Sequence, residues 1–356
     1  MRITLASPVE PSGASWLINC FLELGIKVSH KPVVDNVWRH IDPTPPPDHI
    51  WQRAACGGYR LHPKAQVLKQ FLPVLSRVDV FRFDEDVEVE YVQDLPGAQH
   101  VGAPALLFVR DPRDSLYSMY RRVQPALDYE AFLRFPNPDT LSTRPTHWRL
   151  FVEAWIALAG ENWFTFEEYK RDPAGLLQRV LERAHIARRA DEIERAVVES
   201  SFERARAAEE SYRTSASGEW EVVNRAGRVG DWIDRSEARP GSGVIERRAG
   251  SVMRRLGYDA FDHRDETSVL ADEADGDDVC AFSCEMDESL LRHSNLPTYR
   301  IRQLLDNLES MALARGWASV ERIAALREHF TEGSEHQFAQ LRDLLRQRKR
   351  TTPQGA

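Results

Sequence analysis

Residues 2–25 read RITLASPVEPSGASWLINCFLELG. The first five of these form a short, partly apolar run, the next eight are turn formers, and residues 15–24 have apolar side chains at helical spacing. The segment therefore predicts a strand, a tight loop and a helix, which Gly25 ends in the usual C-terminal manner. Such a unit presents free backbone N–H groups and the positive end of a helix dipole, which together bind anions. A Ser-Gly turn that only caps the helix would explain the same residues.

Further strands and helices alternate along the chain after this unit. Residues 87–92, VEVEYV, alternate in polarity, and residues 104–109, PALLFV, are continuously apolar, as in a strand buried on both faces. Residues 163–166 form a last short strand. Helices are predicted over roughly 63–75, 115–122, 147–159 and 174–210. Strands that alternate with helices predict an α/β fold with a central parallel sheet flanked by helices.

The composition of the chain changes after about residue 261. Residues 262–278 carry eight acidic residues against one Arg, which is typical of a linker or a solvated segment. Beyond this segment, residues 285–348 again show helical apolar spacing. We therefore predict an α/β domain over residues 1–261, an acidic linker over 262–278 and a helical C-terminal extension over 279–350. The helices of this extension are candidates for a homodimer contact.

Composition also narrows the classes of function. The 356 residues include 47 basic and 55 acidic ones, and the net charge of −8 disfavours non-specific nucleic-acid binding. Arg strongly outnumbers Lys, a bias that suggests a GC-rich bacterial genome. The four Cys cannot form a disulfide scaffold and favour a reducing compartment. No run of 18 apolar residues occurs and the N-terminus lacks a signal-peptide stretch, so we expect a cytoplasmic protein without a membrane span.

Three polar motifs are candidates for binding anions. Residues 12–16, SGASW, offer two hydroxyl donors and a glycine that lets the backbone approach a ligand closely. Arg110 ends the apolar strand, at the edge where a parallel sheet binds its ligands, and Ser118 follows eight residues later. Residues 225–232, RAGRVGDW, form a basic loop with two glycines, which an ordinary surface loop would also explain. The first loop lacks the G-x-x-x-x-G-K-[ST] pattern, which disfavours an ordinary ATP or GTP site.

Together these motifs resemble those of the sulfotransferases that use PAPS (3′-phosphoadenosine 5′-phosphosulfate) as the sulfuryl donor. Residues 12–16 resemble the last five positions of the family's P-K-S-G-T-T-W loop, which binds the 5′ phosphosulfate. Arg110 and Ser118 match the family's 3′-phosphate motif, and residues 225–232 are similar to its R-K-G-x-x-G-D-W loop. The motifs extend over about 260 residues in the order that the family has.

Three further segments add to the resemblance. Residues 201–203, SFE, resemble the S-F-E segment on the adenine side of the family's site. Residues 166–173 resemble its Y-E-D-x-x-x-x-P motif, and residues 256–258, LGY, resemble its common domain ending.

The resemblance implies a P-loop NTPase-like sulfotransferase fold and a defined reaction. A sulfuryl group would pass in line from PAPS to a hydroxyl, or to an amine, of a small-molecule or carbohydrate acceptor, and PAP would leave without help from a metal. The implied donor-binding residues are Ser12, Gly13, Ala14, Ser15 and Trp16 for the 5′ phosphosulfate, with Trp16 also stacking near adenine. Those implied for the 3′ phosphate are Arg110, Ser118, Arg225 and Gly227, and those implied near adenine are Ser201 and Phe202.

This sequence departs from the family pattern at three positions. Pro11 replaces the loop Lys, Phe166 replaces the Tyr of Y-E-D, and Ala226 replaces the Lys of R-K-G. The loop Lys stabilises charge on the departing phosphate, a large contribution to catalysis in sites of this kind. The candidates for a replacement cation are Arg53, Lys31, Arg60 and Lys64. The missing Lys therefore leaves a catalytically impaired PAPS- or PAP-binding protein of the same fold as an alternative. A kinase-like phosphotransferase is a second alternative, although the absent P-loop Lys argues against it.

Two residues are candidates for the general base that takes the acceptor's proton. Asp94 follows the strand 87–92 within D-L-P, the place where family members have His in H-x-P, and a carboxylate within hydrogen-bond reach can accept a proton. His30, which follows the first helix, is the second candidate. His62, His100 and Asp35 remain open as others.

Overall fold

The computed structural model describes residues 1–32, 50–123, 128–134, 136–137, 142–215 and 226–258. Its strands are β1 (Arg2–Ala6), β2 (Lys27–His30), β3 (Trp51–Arg53), β4 (Tyr59–Leu61), β5 (Glu88–Val92), β6 (Ala105–Val109), β7 (Pro136–Asn137), β8 (Ser142–Thr143) and β9 (Trp163–Thr165). Its α-helices are α1 (Ala14–Glu23), α2 (Val74–Arg77), α3 (Pro112–Val123), α4 (Tyr129–Arg134), α5 (Arg144–Ala159), α6 (Phe166–Arg171), α7 (Pro173–Arg183), α8 (Ala190–Glu199), α9 (Phe202–Ser215) and α10 (Arg239–Arg255). Two 3₁₀ helices cover Pro63–Gln70 and Ala98–His100.

Five strands form the central sheet in the order β2-β5-β1-β6-β9, and every neighbouring pair is parallel. The predicted α/β fold with a central parallel sheet is therefore confirmed. The apolar run at β6 agrees with its interior position between β1 and β9. All five of its residues are buried, as expected for a strand covered on both faces.

The strand order creates a crevice at one edge of this sheet. After β1 the next strand of the sheet along the chain is β2, which lies at one edge. After β6 the next strand of the sheet is β9, which lies at the opposite edge. The carboxyl ends of β1 and β6 therefore flank the point where the connections diverge, which is where open parallel sheets bind their ligands. The loop that contains residues 12–16, which we call the anion loop, follows β1, and Arg110 follows β6 directly.

Two predicted element boundaries are wrong for identifiable reasons. The helix expected over 63–75 is a 3₁₀ helix over Pro63–Gln70 followed by the short α2, because Pro73 lacks the N–H that a continuous helix requires. The strand expected over 163–166 ends at Thr165. Thr165 Oγ1 accepts a hydrogen bond from Glu168 N (3.1 Å) and Glu168 Oε2 accepts one from Thr165 N (2.9 Å). This capping box starts α6 at Phe166.

The described residues divide into two compact units. The first holds the central sheet and takes its described residues from 1–123, 148–239 and 249–258. The second takes its described residues from 128–147 and 240–248, and within it the guanidinium of Arg144 lies 3.8 Å from the centre of the Phe132 ring. The linker predicted at 262–278 and the extension predicted at 279–350, with its homodimer contact, lie outside the described residues. None of the described helices has the length and apolar composition needed to cross a membrane.

Candidate active site

The loop between β1 and α1 is closed at its base by two buried serines. Ser7 Oγ and Ser12 Oγ lie 2.5 Å apart. Ser7 N also donates a hydrogen bond to Val92 O at the end of β5 (3.1 Å). Residues 8–11 therefore form a short loop between the two serines, held at the carboxyl end of the sheet.

The N-terminus of α1 follows this loop without a side-chain cap. Gly13 has a φ of +86°, a conformation that favours glycine, and α1 has no acidic residue in its first turn. Ala14 N donates to Ser12 Oγ at 3.3 Å. The positive end of the helix dipole is therefore not opposed by an acidic side chain of the helix itself, which suits an anionic ligand.

Arg110 follows β6 and its buried guanidinium is held on several sides. Its Cζ lies 4.5 Å from the centre of the Phe166 ring, and Nη2 lies 3.4 Å from Asp114 Oδ2 and donates to Arg228 O. Arg110 Nε is buried and has no hydrogen-bond partner among the described residues. Because buried N–H groups are normally paired, this atom indicates a ligand with an acceptor oxygen.

Asp114 on α3 attaches the loop 226–232 to the site. Its Oδ2 accepts a hydrogen bond from Gly230 N (2.7 Å) and its Oδ1 one from Trp232 N (3.3 Å). Burial raises the pKa of Asp114, while Arg110 and the two backbone N–H groups act to lower it. The contact brings a loop that is more than 100 residues away in sequence to the helix after β6.

Aromatic rings form the walls next to these polar groups. Trp16 stacks on Tyr169, with ring centroids 4.2 Å apart and an interplanar angle of 27°. Trp16 Nε1 is buried without a hydrogen-bond partner in the described part of the chain. Gly227 has a φ of +59° and lies so close to Phe202 that a Cβ there would be 2.8 Å from its ring. Such rings are suited to stacking with a nucleobase.

These elements line one cavity, which lies wholly within the first unit. Among the sequence-predicted residues, those that line it are residues 12–16, Arg110, Ser118, Phe202 and Gly227. They come from four separate parts of the chain, and the fold brings them together at the carboxyl ends of β1 and β6. Arg225 lies outside the described residues.

Ser201 does not line the cavity, although its neighbour does. Ser201 Oγ accepts a hydrogen bond from Arg204 N (3.4 Å) near the start of α9. Ser200 lines the cavity instead and accepts a hydrogen bond from Asn19 Nδ2 at 2.8 Å. Asn19 Oδ1 in turn accepts one from Val74 N (3.1 Å), so α1 is tied to two other segments of the first unit.

Asp94, the first candidate for the general base, lies outside the cavity lining. Its side chain is 70% exposed and its Oδ2 lies 3.7 Å from Lys31 Nζ. The backbone carbonyl of Asp94 accepts a hydrogen bond from Trp155 Nε1 (3.0 Å). The structure thus anchors the Asp94 backbone and leaves its carboxylate in solvent.

His30, the second candidate, lies behind the cavity wall. Its ring centroid is 4.8 Å from that of Tyr91 and 6.1 Å from that of Phe71, and both of these residues line the cavity. Burial lowers the pKa of His30 from 6.5 to about 4. His30 is therefore neutral near pH 7 and is separated from the cavity by aromatic side chains.

The four candidate replacements for the loop Lys do not line the cavity either. Of the described residues, the cations that do are Arg110 and Arg122, whereas Arg53, Lys31, Arg60 and Lys64 lie elsewhere. Arg122 and a second charged residue, Glu10, were missed by the sequence analysis. Their positions in the sequence could have indicated that both residues are near the site. Arg122 lies one helical turn after Ser118, and Glu10 directly precedes Pro11.

Residues 104–240 match the family model described as "Sulfotransferase domain". The resemblance to sulfotransferases is confirmed. The sulfotransferase match begins just before β6 and includes Arg110, Ser118, Phe202 and Gly227, while the anion loop after β1 precedes it. It supports a sulfotransferase activity in general terms. A comparison with curated proteins finds no sequence match.

Solved sulfotransferase structures are among the structural matches. Mouse sulfotransferase SULT7A1 complexed with PAP is 18% identical over 72% of this chain and 87% of its own, with a TM-score of 0.42. Retinol dehydratase in complex with androsterone and inactive cofactor PAP is 16% identical over 71% of this chain and 80% of its own, with a TM-score of 0.44. Retinol dehydratase with retinol and PAP gives the same identity and TM-score, with 71% and 81% covered.

Proposed function

We propose that this chain transfers a sulfuryl group from PAPS to a hydroxyl, or to an amine, of a small-molecule or carbohydrate acceptor, and releases PAP. The observation that carries the proposal is that residues 12–16, Arg110, Ser118 and Gly227 line one cavity at the carboxyl ends of β1 and β6. These residues match separate motifs of one family, and chance gives no reason for them to converge.

The chemistry of the described residues fits an anionic adenine nucleotide. Arg110 Nε and Trp16 Nε1 are buried donors without a partner among the described residues, and both belong to residues that line the cavity. Gly13 removes the side chain where the loop turns into α1, so that N–H groups of the first helical turn can face a ligand oxygen. Trp16 and Phe202 offer rings for the base.

Each motif would then hold one part of the donor. Residues 12–16 and the N-terminus of α1 bind the 5′ phosphosulfate, Arg110, Ser118, Gly227 and Arg225 bind the 3′ phosphate, and Phe202 contacts the adenine side. The bound donor supplies the sulfuryl group. The chain contributes orientation of the reacting atoms and donors directed at the charge that develops on the leaving phosphate, the two main sources of catalysis in group transfer.

Titration calorimetry with PAP tests the donor site, with AMP and ATP as comparison ligands. Selective binding of PAP is expected, and Arg110→Ala should weaken it by about 10- to 150-fold, the effect of losing a charged hydrogen bond. AMP, which lacks the 3′ phosphate, should be affected much less. A folded protein that binds PAP no better than AMP would contradict the proposal.

Pro11 favours a second candidate function, that of a protein that binds PAPS but transfers its sulfuryl group inefficiently. Pro11 lines the cavity where the family has its loop Lys, and no Lys lines the cavity among the described residues. Formation of PAP from PAPS separates the two functions, measured with a panel of a phenol, a sugar, an amino alcohol and water. Tight PAP binding without turnover on any of them would favour the impaired protein.

A further inference from the structure

Glu10 contributes the only carboxylate that lines the cavity among the described residues. Glu10 lies in the short loop of residues 8–11 between Ser7 and Ser12, and it is 2% exposed. Of the two base candidates from the sequence, Asp94 is in solvent and His30 lies behind aromatic rings. A proton acceptor that can reach a ligand in this cavity must therefore be sought elsewhere than at those two residues.

The strand order gives the cavity a direction. Arg110 follows β6, the loop with Glu10 follows β1 and Gln93 follows β5, and these three strands are successive neighbours in the sheet. Neighbouring strands lie about 4.8 Å apart. A nucleotide with its 3′ phosphate at Arg110 and its phosphosulfate at the β1 loop therefore presents the sulfuryl group toward the β5 side, where the acceptor must enter.

The groups that line this side of the cavity differ in their ability to take a proton. Tyr91 Oη accepts a hydrogen bond from Gln93 Nε2 (2.9 Å), and burial raises the pKa of Tyr91, so it stays protonated at neutral pH. The Gln93 amide is not a base. A carboxylate has the required acceptor oxygens, and Glu10 is adjacent in sequence to the loop that would hold the phosphosulfate.

We propose that Glu10 is the general base of the transfer reaction; this inference rests on the proposed sulfotransferase function. As the acceptor oxygen forms its bond to sulfur, the bond between sulfur and the bridging oxygen of the phosphosulfate breaks. The electron pair of that bond stays on the phosphate of PAP, and the acceptor's proton passes to the carboxylate of Glu10. Atoms and charges balance without a further reactant.

The test is Glu10→Gln, which keeps the shape of the side chain and removes the base. Calorimetry with PAP should give a dissociation constant within about threefold of the wild type. Turnover of PAPS with 2-naphthol should fall by at least about 100-fold, in line with the usual contribution of a general base. Glu10→Asp should recover part of this loss, because a carboxylate returns to the same loop.

The identity of the acceptor provides a readout that a structural role would not change. An acidic phenol such as 4-nitrophenol is already ionised in part near neutral pH and needs less help from a base. Glu10→Gln should therefore slow the sulfation of 4-nitrophenol by less than about tenfold. With 2-naphthol, the fall in rate at acidic pH that the wild type shows should be absent in Glu10→Gln. Asp94→Asn is the matched control, and its turnover should stay within about twofold of wild type.

Each contrary outcome has a distinct meaning. Wild-type turnover by Glu10→Gln with 2-naphthol overturns the inference, as does an equal loss with both phenols or a loss of PAP binding, which would indicate a structural role. A wild-type protein that binds PAP but turns over no acceptor of the panel overturns the transfer function and the inference together. A wild-type protein that does not bind PAP refutes the donor site itself.

Discussion

Gly13 and the ring of Phe166 are in such close contact that a Cβ on Gly13 would lie 2.5 Å from Cδ2 of Phe166. The first residue precedes α1 and the second follows β9, so this contact joins the anion loop to the far side of the site. The same ring lies under the guanidinium of Arg110 at 4.5 Å. A single aromatic side chain thus positions both the loop and the principal cation.

Gly13→Ala should lower the free energy of unfolding by more than backbone strain alone requires. Gly57 is the matched control, because its φ of +85° is nearly the same as the +86° of Gly13, and nothing lies within 4 Å of its missing Cβ. Alanine at Gly57 should cost about 1 kcal/mol for its left-handed conformation. Gly13→Ala should cost at least about 1 kcal/mol more in urea unfolding. Equal losses would show that Phe166 moves aside freely.

Asp114→Asn should destabilise the protein by about 1–3 kcal/mol, since the amide cannot accept both backbone hydrogen bonds and no longer pairs with Arg110. The two hydrogen bonds concerned are those that Asp114 accepts from Gly230 N and Trp232 N. Thermal or urea unfolding measures the loss. Asp234→Asn, an exposed change in the following turn, serves as the control and should change the free energy of unfolding by less than about 0.5 kcal/mol. If both variants unfold alike, Asp114 does not fix the loop.

Acidification should destabilise the wild type through His30. The unfolded chain takes up a proton near pH 6.5, whereas the folded protein, in which burial lowers the pKa of His30 to about 4, does not until lower pH. Stability is therefore lost as the pH falls through this window, by up to about 3 kcal/mol. His30→Gln removes the titrating group, so its unfolding free energy should fall less than that of the wild type between pH 7 and pH 4.5. Parallel pH dependence of the two proteins would contradict this prediction.

Pro11→Lys should strengthen binding of the donor product. Pro11 lines the cavity next to Ser12, and a lysine there adds a positive charge beside the bound phosphate, for which we expect about tenfold tighter PAP binding. Calorimetry at two salt concentrations checks the electrostatic origin, because added salt should reduce the gain. Unchanged PAP affinity would indicate that the side chain at this position points away from the phosphate. Pro11→Gln, which places a long uncharged side chain at the same position, is the control and should not tighten PAP binding.

Local sequence was sufficient for the elements that carry the site. The apolar run at 104–109 identified a buried strand, and the turn formers between β1 and α1 identified the loop, because both follow from side chains that are near in sequence. The 3₁₀ type of the helix at Pro63–Gln70 and the hairpin of β3 and β4 were not predicted. Short elements of this kind depend on nearby packing, as in the backbone pairing of Tyr59 with Phe81.

By itself, the sequence determined the alternation of strands and helices and the three motifs that would hold an anionic nucleotide. Only the tertiary structure decided which charged side chains enter the cavity. Asp94 follows a strand as expected, but its carboxylate is in solvent next to Lys31, while Glu10 is nearly inaccessible in the cavity wall. The direction of a loop side chain depends on contacts such as the hydrogen bond from Ser7 N to Val92 O, which forms only when β1 and β5 are neighbours in the sheet.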